Sequence, residues 1–220
     1  LIIYRKFISL RGFLLEKLIN SRRKIMNQVN FFNSIAKDWD SISKVDEVKI
    51  NYLLSQIDIK EGDSILDVGT GTGVLIQFLT KLNPKGKIEA VDMSFNMLEI
   101  AKEKFKNINN VEFKLLNIET EDLDEKVNKI VLYSMFPHLE DKTNTIKKLV
   151  QQNLLDCGKL IIAHSDSREY LNNMHRSKHD LVSESRLIDV NEQKKIFEDI
   201  GLKVEKAFED DNTYYLVLTK

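Results

Sequence analysis

Nine residues constrain this chain more than any others: Ile65-Leu66-Asp67-Val68-Gly69-Thr70-Gly71-Thr72-Gly73 places an acid inside an apolar run and follows it with three glycines at alternate positions. An apolar run bounded by glycine reads as a buried strand, and a loop with little side-chain bulk lets a ligand approach the backbone closely. Ligands of open α/β sheets bind beyond the carboxyl ends of the strands, so Asp67, Gly69, Thr70, Gly71 and Gly73 are candidate ligand contacts. The spacing G-x-G-x-G differs from the G-x-G-x-x-G of dinucleotide folds, where a pyrophosphate lies over a helix N-terminus. An acid this close to the ligand suits an ammonium group better than a pyrophosphate.

The chain around this motif alternates strand and helix. Two helical pieces over residues 30–54, carrying Phe31, Phe32, Ile35, Trp39 and Leu53 among their apolar positions, precede a first strand over Ser64–Val68. Helix Val74–Leu82 stops at Asn83-Pro84-Lys85-Gly86, strand Ile88–Val91 follows, and Ser94 caps a helix running to about Phe105. Further strands are expected over Val111–Leu116, Lys129–Tyr133 and Lys159–Ala163, with a long helix over Lys142–Leu155 between the last two. Helix Glu192–Ile200 ends at Gly201, and Val204–Phe208 with Tyr214–Leu218 forms a closing antiparallel hairpin. Short apolar strands separated by helices predict an α/β, Rossmann-like, mostly parallel sheet covered by helices on both faces. At 220 residues, with 42% hydrophobic and 30% charged side chains, one globular domain over residues 26–220 accounts for the chain.

Two further elements join the glycine loop. Asp92 stands at the tip of the second strand, where a carboxylate accepts the hydroxyl protons of a ribose, and Met93 beside it offers a soft face for an adenine. Leu116-Asn117-Ile118 places an amide after the third strand, where a purine edge is read; core packing for Met93 and turn capping for Asn117 are the competing roles. In this order the three elements resemble the class I S-adenosylmethionine (SAM)-dependent methyltransferase family, over about Val45 to Lys220. That resemblance implies a seven-stranded sheet whose last strand is antiparallel, and an enzyme that transfers the methyl of SAM to a small molecule and releases S-adenosylhomocysteine (SAH). It also implies that Asp67, Gly69 and Gly71 follow the methionine part, Asp92 the ribose, and Met93 and Asn117 the adenine, with Thr70, Gly73, Ile118 and Tyr133 completing the candidate cofactor set. Asn117 replaces a commoner Asp, and Cys157 in Leu155-Asp156-Cys157-Gly158-Lys159-Leu160 replaces the first of two usual glycines.

On the acceptor side, His138 follows the fourth strand and His164 ends the fifth. Histidine titrates near neutral pH, so both are candidate general bases, and Arg168 is a candidate partner for an acidic substrate group. His175 and His179, at i and i+4, share a face if helical, but no metal is assigned to them. Trp39, with Phe31 and Phe32, is expected to pack an N-terminal lid, ordinary helix packing being the alternative.

Residues 1–25 carry a net charge of +6 and the remaining residues −7. The first segment reads either as a basic amphipathic arm for a membrane surface or as sequence upstream of a natural start at Met26. The overall charge of −1 argues against a nucleic-acid partner, and the lone Cys157 suits a reducing cytoplasm in which the chain is a monomer or homodimer. No Asn-Pro-Pro-aromatic motif follows strand four, where Tyr133-Ser134-Met135-Phe136-Pro137 stands, which argues against methylation of nucleic-acid bases. Two rivals remain beside a methyltransferase: a protein that binds SAM without catalysis, and an NAD-dependent oxidoreductase.

Overall fold

The computed structural model describes residue 19 and residues 22–177 and 185–220. Most of the basic arm and His179 therefore lie outside the described residues. Helix α1 (residues 22–35) leads through a 3-10 turn (Ala36–Asp38) into α2 (Trp39–Ile42) and α3 (Glu47–Ser55). Then β1 (Ile65–Val68), α4 (Ile76–Leu82), β2 (Ile88–Asp92), α5 (Phe95–Lys104), β3 (Val111–Leu115) and β4 (Val127–Tyr133) follow. After a 3-10 turn (Phe136–His138) come α6 (Lys142–Lys148), β5 (Leu154–His164), α7 (Arg168–Ser177), α8 (Val190–Asp199), β6 (Lys203–Glu209) and β7 (Tyr214–Thr219).

The strands form one seven-stranded sheet in the order β3-β2-β1-β4-β5-β7-β6. The neighbouring pairs from β3 across to β5 are parallel, whereas β7 runs antiparallel to both β5 and β6. Side chains alternate across each strand, so one face gathers Leu66, Leu132, Ile162 and Leu216 under α6 and α8, and the other gathers Ile65, Val131, Ile161 and Val217 under α3 and α4. Burial on both faces makes the central strands β1, β4, β5 and β7 mostly apolar, whereas the edge strands β3 and β6 alternate with charged residues.

The expected elements recur with shifted ends. Ser94 caps α5 by accepting the Met97 N–H, as its position before the apolar periodicity predicts. The greatest departure lies in the expected helix Lys142–Leu155, where α6 ends at Lys148 and a π-type turn (Leu149–Asn153) leads straight into β5 at Leu154. The Asn153 amide donates to the Leu123 carbonyl at 2.8 Å, tying that turn to the chain before β4. Beyond it, Cys157 sits at φ +62, and a side chain at Gly158 would meet Leu154 Cγ at 2.8 Å and the Asn128 carbonyl at 2.9 Å. Lys142 to Leu155 thus contains a turn that helical periodicity alone does not register.

No described helix is long and apolar enough to cross a membrane.

Candidate active site

The carboxyl ends of β1 and β2 lie side by side in register, Val68 opposite Val91, and this brings the glycine loop onto the tip of β2. The amides of Gly69 and Thr70 both donate to the Val91 carbonyl, at 2.8 and 3.0 Å. Asp92 then holds the loop from its side chain: Oδ2 accepts the Gly71 N–H and Oδ1 the Ser94 N–H, each at 2.8 Å. Asp67 is 2% exposed and its Oδ2 accepts the Thr70 hydroxyl at 2.7 Å. Burial pushes its carboxyl up to about 7, with the nearby Asp92 charge adding to the rise. Asp92 is raised by burial too, against the pull of its backbone hydrogen bonds. Two crowded carboxylates of this kind favour a positively charged ligand.

Gly69 and Gly71 have φ of +72 and +56, a backbone region that favours glycine. Ser134 at φ +56 turns the chain after β4 so that the Met135 side chain lies over Gly69, where an added Cβ would stand 2.8 Å from Met135 Cβ and 2.9 Å from Cγ. Gly69→Ala is therefore expected to cost about 2–4 kcal/mol, left-handed strain and overlap together. Met135→Ala, which leaves Cβ in place, should restore only part of the loss in a thermal double-mutant cycle; full stability in Gly69→Ala alone would contradict this geometry.

The other candidate cofactor residues flank this core. Met93 is half-buried beside Asp92, and Ile118 is buried after β3. Asn117 spends its side-chain oxygen on the Glu119 N–H at 3.0 Å, so the capping role is present there. Tyr133 donates its hydroxyl to Ser165 Oγ at 2.8 Å, joining the ends of β4 and β5. Gly73 packs on Phe105, and behind the loop a cavity of about 140 Å³ opens between Trp39, Thr72 and Phe105. Small-molecule sites generally need several hundred Å³, so this space is too small for a nucleoside.

Helix α1 reaches two parts of the carboxyl edge. Asn33 Oδ1 accepts from Ser94 Oγ at 2.8 Å and from the Asn96 N–H at 3.0 Å, beside β2. Phe32 stands edge-on to Trp39 and to His138, at 5.8 and 5.4 Å between centroids, and Lys24 pairs with Glu140 at 3.2 Å. Asp40 in α2 takes the Thr72 hydroxyl at 2.5 Å and Lys104 at 2.8 Å, fastening the glycine loop from the outside. Asn33 and Asp40 have no signal in the sequence, since single polar residues in an amphipathic stretch look like solvated positions.

The acceptor-side residues need correction in their chemistry. His138 and His164 were expected to titrate near neutrality, but burial takes each down to about 3, with neighbouring histidines adding to the fall. Both are pushed toward the neutral imidazole; His164 is 1% exposed at the end of β5, whereas His138 is half-buried after β4. His138 Nδ1 lies 3.1 Å from Ser185 Oγ, and the His138 and His175 rings are 5.2 Å apart. Arg168 is engaged by Glu209 through Nε to Oε2 at 3.0 Å and Nη2 to Oε1 at 3.1 Å, a bidentate pair between the start of α7 and the end of β6. Among the described residues no cluster of three or more metal-binding side chains occurs.

Comparison with known proteins agrees with this architecture. A family profile described as a methyltransferase domain matches residues 59–212. Malonyl-[acyl-carrier protein] O-methyltransferase of Acetivibrio thermocellus is 38% identical over 122 residues, covering 54% of this chain and 43% of the relative. (S)-coclaurine N-methyltransferase of Thalictrum flavum is 27% identical over 146 residues, covering 64% and 40%. The crystal structure of a SAM-dependent methyltransferase from Aquifex aeolicus superposes with a TM-score of 0.67 at 24% identity, covering 83% of this chain and 97% of that one. The chain belongs to the class I SAM-dependent methyltransferases, a family of enzymes whose cofactor is SAM. Its matched stretch spans less than half the length of these two curated relatives. With the family assigned, the NAD-dependent oxidoreductase reading falls.

Proposed function

We propose that this chain transfers the methyl group of SAM to a small-molecule acceptor by in-line displacement. The observation that carries the proposal is the Asp92 carboxylate at the tip of β2, whose two oxygens each accept one backbone N–H. A carboxylate offers about four lone-pair sites, so each oxygen keeps capacity for one more donor, which suits the two neighbouring hydroxyls of a ribose. The left-handed glycines at Gly69 and Gly71 provide the side-chain-free approach that the rest of such a ligand needs, and buried Asp67 gains from a positive group nearby. These residues fit SAM, which when bound supplies a methyl group on a sulfonium with a good leaving group.

The remaining residues bind, orient and exclude water. Met93 and Ile118 offer apolar surface for a planar base, with Asn117 at its edge. Phe32, Trp39 and Met135 keep water from the loop, which strengthens the electrostatic contacts inside. Orientation is the larger share of the work, since displacement at a sulfonium needs little covalent help. His138 and His164 contribute neutral hydrogen-bonding groups in place of a titrating base, and Arg168 shapes the rim through Glu209. The two curated relatives are named for an O- and an N-methylation. Their names support a small-molecule or carrier-borne acceptor whose atom is set by the acceptor side of the cleft.

The test is calorimetric titration with SAH and, separately, with NADH. Micromolar binding of SAH without binding of NADH is expected, and SAH failing to bind would overturn the proposal. Tight SAH binding with no turnover across hydroxyl, amine, thiol and carboxylate acceptors would favour the non-catalytic SAM-binding alternative.

A further inference from the structure

At the carboxyl end of β5, His164 stands opposite Tyr214 of β7 in the strand register, their ring centroids 5.9 Å apart at 72°. Both side chains are shut away from solvent, His164 being 1% and Tyr214 0% exposed. Tyr214 packs in the layer that includes Leu171 of α7 and Phe197 of α8. Yet neither ring nitrogen of His164, nor the Tyr214 hydroxyl, has a hydrogen-bond partner among the described residues. Other buried polar groups of this sheet edge are satisfied, Asp67 by Thr70 and Ser165 by Tyr133. Unpaired buried polar atoms weaken a fold, so three of them on two facing rings call for an explanation outside packing.

His164 ends β5 at the same sheet edge as Asp67 and Asp92, with β4 between β5 and β1. We infer that the His164–Tyr214 pair is a recognition subsite for an uncharged, hydroxyl-bearing group of the acceptor, an inference that rests on the methyl-transfer reading above. A neutral imidazole presents one donor and one acceptor, and a phenol presents both, so a hydroxyl that donates to one ring and accepts from the other satisfies the pair. Charged groups are poorly matched. The cation that acts on Tyr214 is Arg168, already bound by both Glu209 oxygens, and the nearby Asp189 carboxylate accepts the Asn191 and Glu192 amides as the cap of α8. On the other side, His138 and His175 act on His164, and the half-buried His138 is itself pushed toward its neutral form by desolvation. A carboxylate or ammonium placed here would give up its hydration without gaining an uncommitted counter-ion from these groups.

The experiment follows the ring nitrogen shifts of His164 by NMR in SAH-loaded protein during titration with isopropanol, acetate and isopropylammonium, probes of matched size and different charge. Isopropanol is expected to give a saturable shift, weakened roughly threefold to tenfold in Tyr214→Phe by the loss of one hydrogen bond, while acetate and isopropylammonium give none. Tyr214→Phe deletes an unpartnered hydroxyl and should fold with an unchanged or higher Tm. The inference is overturned if SAH binds and His164 ignores isopropanol, responds equally in Tyr214→Phe, or follows a charged probe instead. If SAH does not bind, the methyl-transfer reading fails separately. The isopropanol titration of ligand-free protein then decides the pair alone: a shift that depends on Tyr214 supports it, and no shift removes it.

Discussion

Asp92→Ala is expected to weaken SAH binding by at least about a hundredfold, the loss of two hydrogen bonds from ribose hydroxyls to a charged acceptor at about 1.5–3 kcal/mol each. The same substitution strips the Gly71 and Ser94 amides of their acceptor and so loosens the glycine loop, at a further cost of about 1–3 kcal/mol in stability. Two readouts separate these effects. Calorimetry at a temperature where the variant is fully folded reports the ligand contact, and thermal unfolding without ligand reports the loop. Asp92→Asn should keep one oxygen for the loop and one hydroxyl, and therefore fall between the two proteins in both measurements. Because Asp92 helps to raise the Asp67 carboxyl, removing its charge should also bring Asp67 down toward the ordinary carboxylate range. Wild-type SAH affinity in Asp92→Ala would move the ribose away from the tip of β2 and take the carrying observation with it.

What the sequence made legible follows from which signals are local. The central strands could be read because burial on both faces makes them mostly apolar, and Ser94 because an N-cap declares itself beside its own helix. Asp67 and Asp92 were visible for a similar reason: a carboxylate inside or ending an apolar run is costly unless something uses it. Leu154 and Leu155 were misplaced because two apolar residues fit the end of a helix as well as the start of a strand, and the Asn153 contact that decides the matter is with Leu123. The same limit governs the acceptor side. Arg168 looked available for a substrate because Glu209, its partner, lies 41 residues further on. His138 and His164 looked like bases because the elements that bury them come from elsewhere in the chain, α1 through Phe32 for the first and β7 through Tyr214 for the second. Tyr214 itself read as an ordinary strand residue, since alternation identifies a buried side chain and says nothing of whether its hydroxyl finds a partner.

Asp67 links ligand binding to the stability of the free protein. Its carboxyl is at about 7 when folded against an ordinary value of 3.8, so folding disfavours the charged form. Below about pH 4 the group is protonated in both states and costs nothing. As pH rises from there toward 7 the unfolded chain ionises first and stability falls. Above about 7 the ligand-free protein carries the full penalty, on the order of 4 kcal/mol. Asp67→Asn removes the charge and keeps an oxygen for the Thr70 hydroxyl, so at pH 8 it should gain about 2–3 kcal/mol, read as a rise of roughly 5–10 °C in Tm, and gain little at pH 4. The opposite is expected of function. The variant loses the carboxylate that favours a positive group, and SAH affinity at pH 8 should drop by about tenfold to a hundredfold. In the wild type that affinity should decline as pH falls through about 7, by up to tenfold per unit, since the ligand then has to expel a proton from Asp67; in Asp67→Asn the profile should be flat. A wild-type affinity independent of pH between 5 and 8, or an Asn variant less stable than wild type at pH 8, would show that Asp67 is not the charge on which the ligand depends. With both expectations met, the free protein gives up stability to keep a carboxylate at the end of β1, and the cationic ligand restores it on binding.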